Sequence, residues 1–279
     1  MSTLTNEELI RYQRHLTIAE IGGKGQELLK KASVLVIGAG GLGSPVLMYL
    51  AAAGVGRIGI VDSDEVTTGN LQRQILYETG DVTRPKAETA AKKLRRINPH
   101  TEVLAYPVRF TEENAGRLMA GYDIAVDCCD NYSTRYVLCD ATLKAGIPMV
   151  YGAVREFMGQ ASVLNYRGGP TYRDLYPEDM LPEREERSVA PGVGSSVPPG
   201  VESSVAPGVG SSVPPGVESS AATGVESSVA PGVTGPLPGI IGAVQACEVI
   251  KIITGAGEIL SGRLFQADML NNRIDIITL

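Results

Sequence analysis

The feature that most constrains the fold is a glycine-rich turn, GAGGLG, at residues 38–43. A run of β-branched residues at 32–37 precedes this turn, an apolar run at 44–54 follows it, and a second β-branched run ends at Asp62. A strand, a tight turn, a helix and a second strand within roughly 30 residues make up a βαβ unit. The sequence therefore predicts two parallel strands joined by a helical crossover.

Strand-like and helix-like segments go on alternating after this unit. The predicted strands are 103–108, 123–128 and a segment from 148, and the predicted helices are 86–97, 112–119 and 131–145. Such alternation predicts an α/β fold with a Rossmann-like, doubly wound, mostly parallel sheet. Two helices, 6–15 and 24–31, precede it. A C-terminal β-rich portion follows, with strands at 160–166, 262–267 and 273–279 and a long helix at 238–254.

One segment interrupts the pattern, because residues 188–235 divide into six octapeptides in register, beginning with SVAPGVGS and SVPPGVES. Proline and glycine prevent a continuous helix or strand there, and the units lack the bulky apolar side chains that would offset the entropy of ordering. We expect a long, disordered repeat loop inserted into a single domain, 1–279. Its other parts are N-terminal helices (1–31), a nucleotide-binding core (32–166) and a C-terminal helix and strands (236–279).

Composition excludes several classes of function. The net charge of -6 gives no general attraction to nucleic acid or to anionic membranes. The polar N-terminus is not a secretory signal, and no uncharged apolar stretch of about 18 residues predicts a membrane span. We therefore expect a cytoplasmic protein.

The four cysteines form no C-x-x-C pair, so zinc ligation is not expected, and free thiols fit a reducing compartment. Cys128 and Cys129 are interpreted as buried residues at a strand end rather than as nucleophiles. Cys139 and Cys247 fall in apolar helical runs and are expected in the core.

The glycine turn predicts a nucleotide site. Small residues at Gly38, Gly40 and Gly41 let a phosphate approach the N–H groups at the start of the following helix. Asp62, at the end of the next strand, is placed to accept hydrogen bonds from both ribose hydroxyls. These residues alone do not separate ATP from NAD, and an NAD-dependent oxidoreductase is an alternative.

The residues after Asp62 favour a triphosphate. A nicotinamide site has no need for Asp64, Asn70, Arg73 and Gln74 in the segment that follows the ribose acid. In a triphosphate site, Arg73 can neutralise phosphate oxygens and Asp64 can hold a metal ion or its water. Lys86, at the head of a predicted helix, can reach phosphates as a point charge.

A second acidic position lies at the end of the strand predicted at 123–128. Ligands of open α/β sheets bind outside the carboxyl ends of the strands. Asp130 is therefore placed to coordinate a Mg²⁺ ion that bridges phosphates, and Asn131 is placed to cap the following helix.

Six ordered motifs in this chain resemble those of the ThiF/MoeB/HesA family, prokaryotic relatives of the ubiquitin-activating enzymes. They are R-Y-x-R-H, G-A-G-G-L-G-S, D-x-D-x-V-x-x-x-N-L-x-R-Q, the R-x-K of TRPK, D-C-x-D-N and G-P-L-P-G-I-I-G. The resemblance covers nearly the whole chain except the repeats.

The resemblance implies a homodimeric enzyme that binds Mg·ATP and a small ubiquitin-like sulfur-carrier protein ending in Gly-Gly. Attack of the carrier's terminal carboxylate on the α-phosphate would give an acyl adenylate and pyrophosphate. A cysteine desulfurase or another sulfur donor would be a further partner. The matching positions are Gly41 and Asp62 for the nucleotide, Asn70, Arg73 and Lys86 for the phosphates, Asp64 and Asp130 for the metal, and Arg14 acting from the partner protomer.

The chain departs from the family pattern at two places. Thr171 and Asp174 stand where many relatives have the first C-x-x-C pair of a structural zinc site, so no zinc is predicted. Ser228 stands where the crossover loop of relatives often carries a cysteine. A serine without an activating base cannot replace a thiolate, so we expect adenylation without a covalent carrier intermediate. An inactive carrier-binding scaffold is a second alternative, and the pathway, thiamine, molybdopterin or other, stays open.

Overall fold

The computed structural model describes residues 3–177 and 232–279. The helices within these ranges are α1 (Asn6–Arg11), α2 (Gln13–Leu16), α3 (Gly22–Lys31), α4 (Gly43–Ala53), α5 (Lys86–Ile97), α6 (Glu112–Met119), α7 (Tyr132–Ala145), α8 (Tyr172–Leu175) and α9 (Pro236–Thr254). The strands are β1 (Ser33–Ile37), β2 (Arg57–Val61), β3 (Glu102–Tyr106), β4 (Ile124–Asp127), β5 (Met149–Arg155), β6 (Met158–Leu164), β7 (Arg263–Asp268) and β8 (Arg273–Thr278).

The strands form one sheet in the order β3-β2-β1-β4-β5-β6-β7-β8. The first five in this order are parallel, and β6, β7 and β8 join antiparallel. From β1 the chain proceeds to β2 and β3 on one side and then returns to β4 and β5 on the other. The prediction of a Rossmann-like, mostly parallel, doubly wound sheet with a β-rich C-terminal portion is confirmed. The gap between the ends of β1 and β4 is the switch point where such sheets bind ligands.

Strand β1 shows why the sheet is buried on both faces. Its side chains alternate between two apolar clusters: Val34 and Val36 pack in one, and Leu35 and Ile37 pack in the other. Helices α4, α5 and α9 contribute to the first cluster, and α6 and α7 contribute to the second. A strand buried on both faces reads as a continuous apolar run, as residues 34–37 do. Only the ends of such strands are free to carry polar function.

Helix α9 is long and apolar enough by composition to cross a membrane. It instead packs against α3, α4, β5 and β6, and Leu237, Ile241 and Val249 are buried in this contact. Helix α9 is therefore a core helix on the face of the sheet that holds Val34 and Val36. Cys247 is nevertheless exposed, so the prediction that it lies in the core is wrong. Among residues 3–177 and 232–279, elements pack against one side of α9 and leave Cys247 on the other. Cys139 is buried, as predicted.

The helix predicted at 6–15 is interrupted at Tyr12. The predicted cap is present, since Glu8 N–H donates to the Thr5 hydroxyl oxygen and the Thr5 N–H donates to the Glu8 carboxylate. Tyr12 leaves helical geometry because its ring is buried against Gly54 and its hydroxyl accepts a hydrogen bond from Asn98 (2.8 Å). The tertiary contact overrides the local periodicity.

Most of the repeat segment, and with it Ser228, lies outside the described residues. The last four of its predicted residues are described, and they are joined to the fold. Glu156 N–H donates to the Gly232 carbonyl (2.8 Å), and Thr234 N–H donates to the Glu156 carbonyl (3.0 Å). The C-terminal end of the predicted insertion is therefore hydrogen-bonded to the turn at Glu156. The division of the chain into domain segments stays a prediction.

Candidate active site

The glycine turn links β1 to α4 at the switch point. Gly38 has a φ of +98°, and a Cβ on it would overlap the carbonyl oxygen of Cys128, at the end of β4. A Cβ on Gly43 would overlap the Gly38 carbonyl oxygen. These two glycines are therefore required by the close approach of backbone to backbone.

Gly40 and Gly41 face other parts of the chain. A Cβ on Gly40 would lie 3.4 Å from Gln74 Nε2, and a Cβ on Gly41 would lie 3.6 Å from Arg73 Cγ and 3.3 Å from Pro238. The turn, the Arg73–Gln74 segment and the start of α9 thus meet at one place. Residues that are far apart in the sequence converge there on the N-terminus of α4, where unpaired N–H groups favour an anion.

Asp62 follows β2 and is held beside the turn by backbone donors. The Ala39 N–H donates to Asp62 Oδ2 (2.7 Å), and the Asp64 N–H donates to Asp62 Oδ1 (2.8 Å). Burial raises the pKa of Asp62, although Lys86 and these two N–H groups oppose the effect. The Asp62 carboxylate is therefore oriented before any ligand binds. It lies next to the glycine turn, where the sequence predicts that a ribose binds.

Lys86 and Asp64 form an ion pair close to Asp62. Lys86 Nζ lies 3.0 Å from Asp64 Oδ2, and the side chain of Lys86 is 6% exposed whereas that of Asp64 is 57% exposed. The Lys86 N–H also donates to the Asp64 carbonyl (2.8 Å). Tyr77 supports the pair, since its hydroxyl donates to the carbonyls of Ala39 (2.8 Å) and Lys86 (3.3 Å). A buried ammonium group is thus fixed next to the turn.

The segment from Asn70 to Gln74 is shaped by its own hydrogen bonds. Asn70 Oδ1 accepts from the Thr67 N–H (3.3 Å), and Arg73 Nη1 donates to the Gly69 carbonyl (3.2 Å). Gln74 is buried, and its Oε1 has no hydrogen-bond partner among residues 3–177 and 232–279. A buried polar atom left unsatisfied is costly, so this amide beside Gly40 is a contact that a ligand could complete.

Asp130 and Asn131 follow β4. Asn131 Oδ1 accepts from the Thr134 N–H (2.9 Å) and caps α7, which confirms the predicted cap. Asp130 is exposed, and the Asn131 amide donates to its Oδ1 (3.3 Å). Cys128 and Cys129 are buried as predicted, and burial raises the pKa of both thiols, which makes them poor nucleophiles.

The residues predicted to hold Mg²⁺ fit that ion chemically. Asp64 follows β2 and Asp130 follows β4, the two strands that flank β1, and both carboxylates are exposed. Carboxylate oxygens that leave room for water and phosphate ligands are the donor set that Mg²⁺ prefers.

Arg14 lies in α2 with an exposed side chain. Its carbonyl accepts from the Thr17 hydroxyl (3.0 Å), and no contact among the described residues joins its side chain to the glycine turn. Within one chain the structure does not bring Arg14 into the site. Its action from a partner protomer stays a prediction.

Three polar residues that support the site were missed by the sequence reasoning: Tyr77, Arg135 and Gln245. Arg135 and Gln245 are each 0% exposed, and both contact the end of β4. A signal existed for Gln245, because a lone amide within the apolar run of α9 has to find buried partners. Arg135 gave a weaker signal, as a charged residue one turn into α7.

Thr171 and Asp174, the two residues on which the prediction of no zinc rests, form a helix cap. Thr171 N–H and hydroxyl both donate to Asp174 Oδ2 (2.7 and 2.8 Å), and the Asp174 N–H donates back to the Thr171 oxygen (3.2 Å). This reciprocal pair starts α8. The segment is thereby ordered by hydrogen bonds between Thr171 and Asp174.

Comparisons with known proteins identify relatives of the chain. The model of the ThiF family matches residues 12–279. A sulfur carrier protein adenylyltransferase of Thermus thermophilus is 42% identical over 271 residues, which cover 95% of this chain and 85% of that protein. The adenylyltransferase and sulfurtransferase MOCS3 of Mus musculus is 39% identical over 278 residues, but the chain spans only 52% of its length.

A solved structure shares the fold at low sequence identity. The E. coli MccB structure with ATP superposes with a TM-score of 0.73 at 19% identity, covering 99% of this chain and 72% of that chain. This likeness extends across the described sheet and helices.

Proposed function

The chain belongs to the ThiF family, and from this premise we propose that it uses ATP to adenylate the C-terminal carboxylate of a ubiquitin-like sulfur-carrier protein. The products are an acyl adenylate and pyrophosphate. The adenylyltransferase names of its relatives at about 40% identity support this activity. They give no support to the nicotinamide-dependent alternative.

The observation that carries the proposal is the set of groups around the N-terminus of α4. Helix α4 begins at Gly43, so its first N–H groups lie at the glycine turn, and Lys86 is fixed beside the turn as a buried cation. Arg73 lies against Gly41. A carboxylate and a triphosphate repel each other, so bringing them together needs a preorganised positive site. A hydride-transfer enzyme has no such requirement.

The chain's residues then have distinct tasks. Asp62 accepts hydrogen bonds from the ribose hydroxyls, and Asn70, Arg73 and Lys86 hold the phosphates. Gln74 completes the pocket beside Gly40. Asp64 and Asp130 would hold Mg²⁺, which when bound neutralises phosphate charge and assists departure of pyrophosphate. No general base is needed, because the attacking carboxylate is already ionised at neutral pH.

The finer parts of the proposal concern assembly and context. We propose a homodimer in which Arg14 of one protomer reaches the phosphates bound by the other. The partners are a carrier ending in Gly-Gly and a sulfur donor such as a cysteine desulfurase. We place the protein in the cytoplasm, consistent with its free thiols. A further relative, a probable molybdopterin-synthase adenylyltransferase of Porphyra purpurea, is 40% identical over 261 residues. It favours the molybdopterin pathway over the thiamine pathway.

The test is ATP–pyrophosphate exchange with candidate carriers that end in Gly-Gly. We expect exchange that depends on the carrier and is lost when the carrier lacks its last glycine. A chain that binds ATP but supports no exchange with any carrier would favour the inactive scaffold. Nicotinamide reduction by the chain would instead restore the oxidoreductase alternative.

A further inference from the structure

Arg135 is a fully buried arginine that hydrogen-bonds to three residues around the end of β4. Its Nε donates to Asp127 Oδ2 (3.0 Å). Its Nη2 donates to the carbonyls of Cys129 (2.8 Å) and of Gly152 in β5 (3.0 Å). The planar guanidinium can serve these acceptors together because its donors have a fixed fork geometry. The residue immediately before Asp130 is thereby held by its carbonyl group.

Gln245 holds the same turn from the opposite layer. Its Nε2 donates to the Asp127 carbonyl (2.7 Å) and to the Val150 carbonyl (3.2 Å). A Cβ on Gly152 would overlap the Gln245 amide, so β5 is shaped to admit this side chain. Helix α9 thus supplies a buried donor to the end of β4.

The residue immediately after Asp130 is also fixed. Asn131 caps α7 through the Thr134 N–H, and Arg135 belongs to the same helix. Asp130 therefore lies between two residues that are both bonded to α7, whereas its own side chain is exposed. Its backbone has little freedom, and its carboxylate is directed by that backbone.

We propose that Arg135 and Gln245 are positioning residues that orient the Asp130 carboxylate toward a metal ion bound together with the nucleotide. This proposal rests on the proposed function. They touch neither nucleotide nor carrier and act through the carbonyls of Asp127 and Cys129. The role is distinct from folding, because it predicts a change in metal dependence. Outer residues that orient a metal ligand typically contribute about 10–100-fold in metal affinity.

The test is Arg135→Lys, which keeps a positive charge beside Asp127 but cannot serve all three acceptors. Free Mn²⁺ is counted by electron paramagnetic resonance while Mn²⁺ is titrated into the chain with ATP present and no carrier. The Mg²⁺ dependence of pyrophosphate exchange is measured in parallel. We expect the half-saturating metal concentration to rise about tenfold in both assays, with ATP affinity in the absence of metal changed less than about twofold.

The matched control is Arg57→Lys. Arg57 also donates to a carbonyl, that of Gly121, and lies over an aromatic ring, Tyr122, but at the other end of the sheet. Its variant should leave metal dependence unchanged. If Arg135→Lys unfolds at the assay temperature, the same titrations on Gln245→Met decide the question. This variant removes the amide donor to Asp127 and Val150 together with the weak acceptor for the Cys128 thiol.

The outcomes separate the two proposals. A folded Arg135→Lys chain with wild-type metal dependence, or an equal change in Arg57→Lys, overturns the positioning role. Tight binding of Mn²⁺ with ATP but no exchange by the wild-type chain sinks the proposed function alone. In that case the Mn²⁺ titration still decides the positioning role, since it needs no carrier.

Discussion

The central parallel strands of the sheet and the edge strand of its antiparallel half, as the structure describes them, are buried to opposite extents. Strands β1 and β4 of the parallel half are buried at every residue. Strand β8, at the edge of the antiparallel half, is exposed at every residue, and Ile274 and Ile276 are more than half exposed. The central parallel strands therefore have only their ends available for polar groups, and Asp62, Asp64 and Asp130 follow those ends.

This difference in burial means that the stability of the protein and its chemistry depend on different parts of the sheet. Burial on both faces makes the parallel half rigid, and groups attached at the ends of its strands inherit that rigidity. The side chains of edge strand β8 are exposed, so substitutions there remove little buried surface. Changes at the carboxyl ends of β1, β2 and β4 should therefore affect activity, changes within the parallel strands should affect stability, and changes in β8 should affect neither strongly.

The largest expected effect is that of Asp130→Asn. The amide keeps the shape of the side chain but loses the charge proposed to hold Mg²⁺. We expect the exchange rate to fall by about 10³-fold with an unchanged melting temperature, as for loss of a principal electrostatic group. Asp275→Asn in β8 is the control and should retain wild-type exchange. Comparable losses in both variants would break the contrast between the two halves.

Lys86→Met should have the next largest effect, on the order of 10²-fold in exchange, because it removes the buried cation beside the turn. The fold should survive, because the partner carboxylate of Asp64 is exposed to water. Lys93→Met is the matched control, since Lys93 forms ion pairs from the same helix with Glu78 and Asp81, away from the turn. Equal activity of the two variants would show that Lys86 serves structure only.

A pair of Ile→Ala substitutions tests the contrast in stability. Ile58 in β2 is fully buried, whereas Ile276 in β8 is 57% exposed. Ile58→Ala should lower the free energy of unfolding by about 2–5 kcal/mol, through lost apolar burial and a residual cavity. Ile276→Ala should change it by about 0.5 kcal/mol or less. Urea unfolding followed by circular dichroism measures both, and similar losses would mean that β8 is covered in solution.

The smallest effect concerns Asp81, a charged residue of the parallel half that is not part of the site. Burial by itself would raise the pKa of Asp81, but Lys93, the Glu78 N–H and Arg84 outweigh it and lower the pKa. A depressed folded-state pKa stabilises the protein above the unfolded value of about 3.9, and this stability is lost as the pH falls through the folded value. Asp81→Asn should therefore cost about 1–2 kcal/mol at pH 7 and less below pH about 4.

Urea titrations at pH 7 and at pH 3 measure this difference. A cost that stays the same at both values would assign the effect to packing rather than to charge.

The sequence predicts the parallel half well, because its signals are local. The continuous apolar run of 34–37, the glycine turn and Asp62 each lie within a few residues of the structure they determine. The predicted bounds of α5 match the structure, since the basic face and the buried alanines of that helix share one period. The predicted cap at Asn131 is local in the same sense.

Features set by distant contacts could not be predicted in this way. The break at Tyr12 depends on Gly54 and Asn98, and the exposure of Cys247 depends on which side of α9 meets the sheet. Arg135 and Gln245 reach partners that periodicity does not reveal. For the site, the sequence indicated which residue types gather, and the structure added the Asp64–Lys86 pair and the fixed backbone around Asp130.

The most direct test of the central claim is the intact mass of a Gly-Gly carrier incubated with the chain, Mg²⁺ and ATP, followed by hydroxylamine. The account predicts that the carrier gains one adenylyl group and, after hydroxylamine, a C-terminal hydroxamate, and that neither forms on a carrier without its last glycine. An unchanged carrier mass, with ATP bound and every Gly-Gly carrier tried, would contradict it.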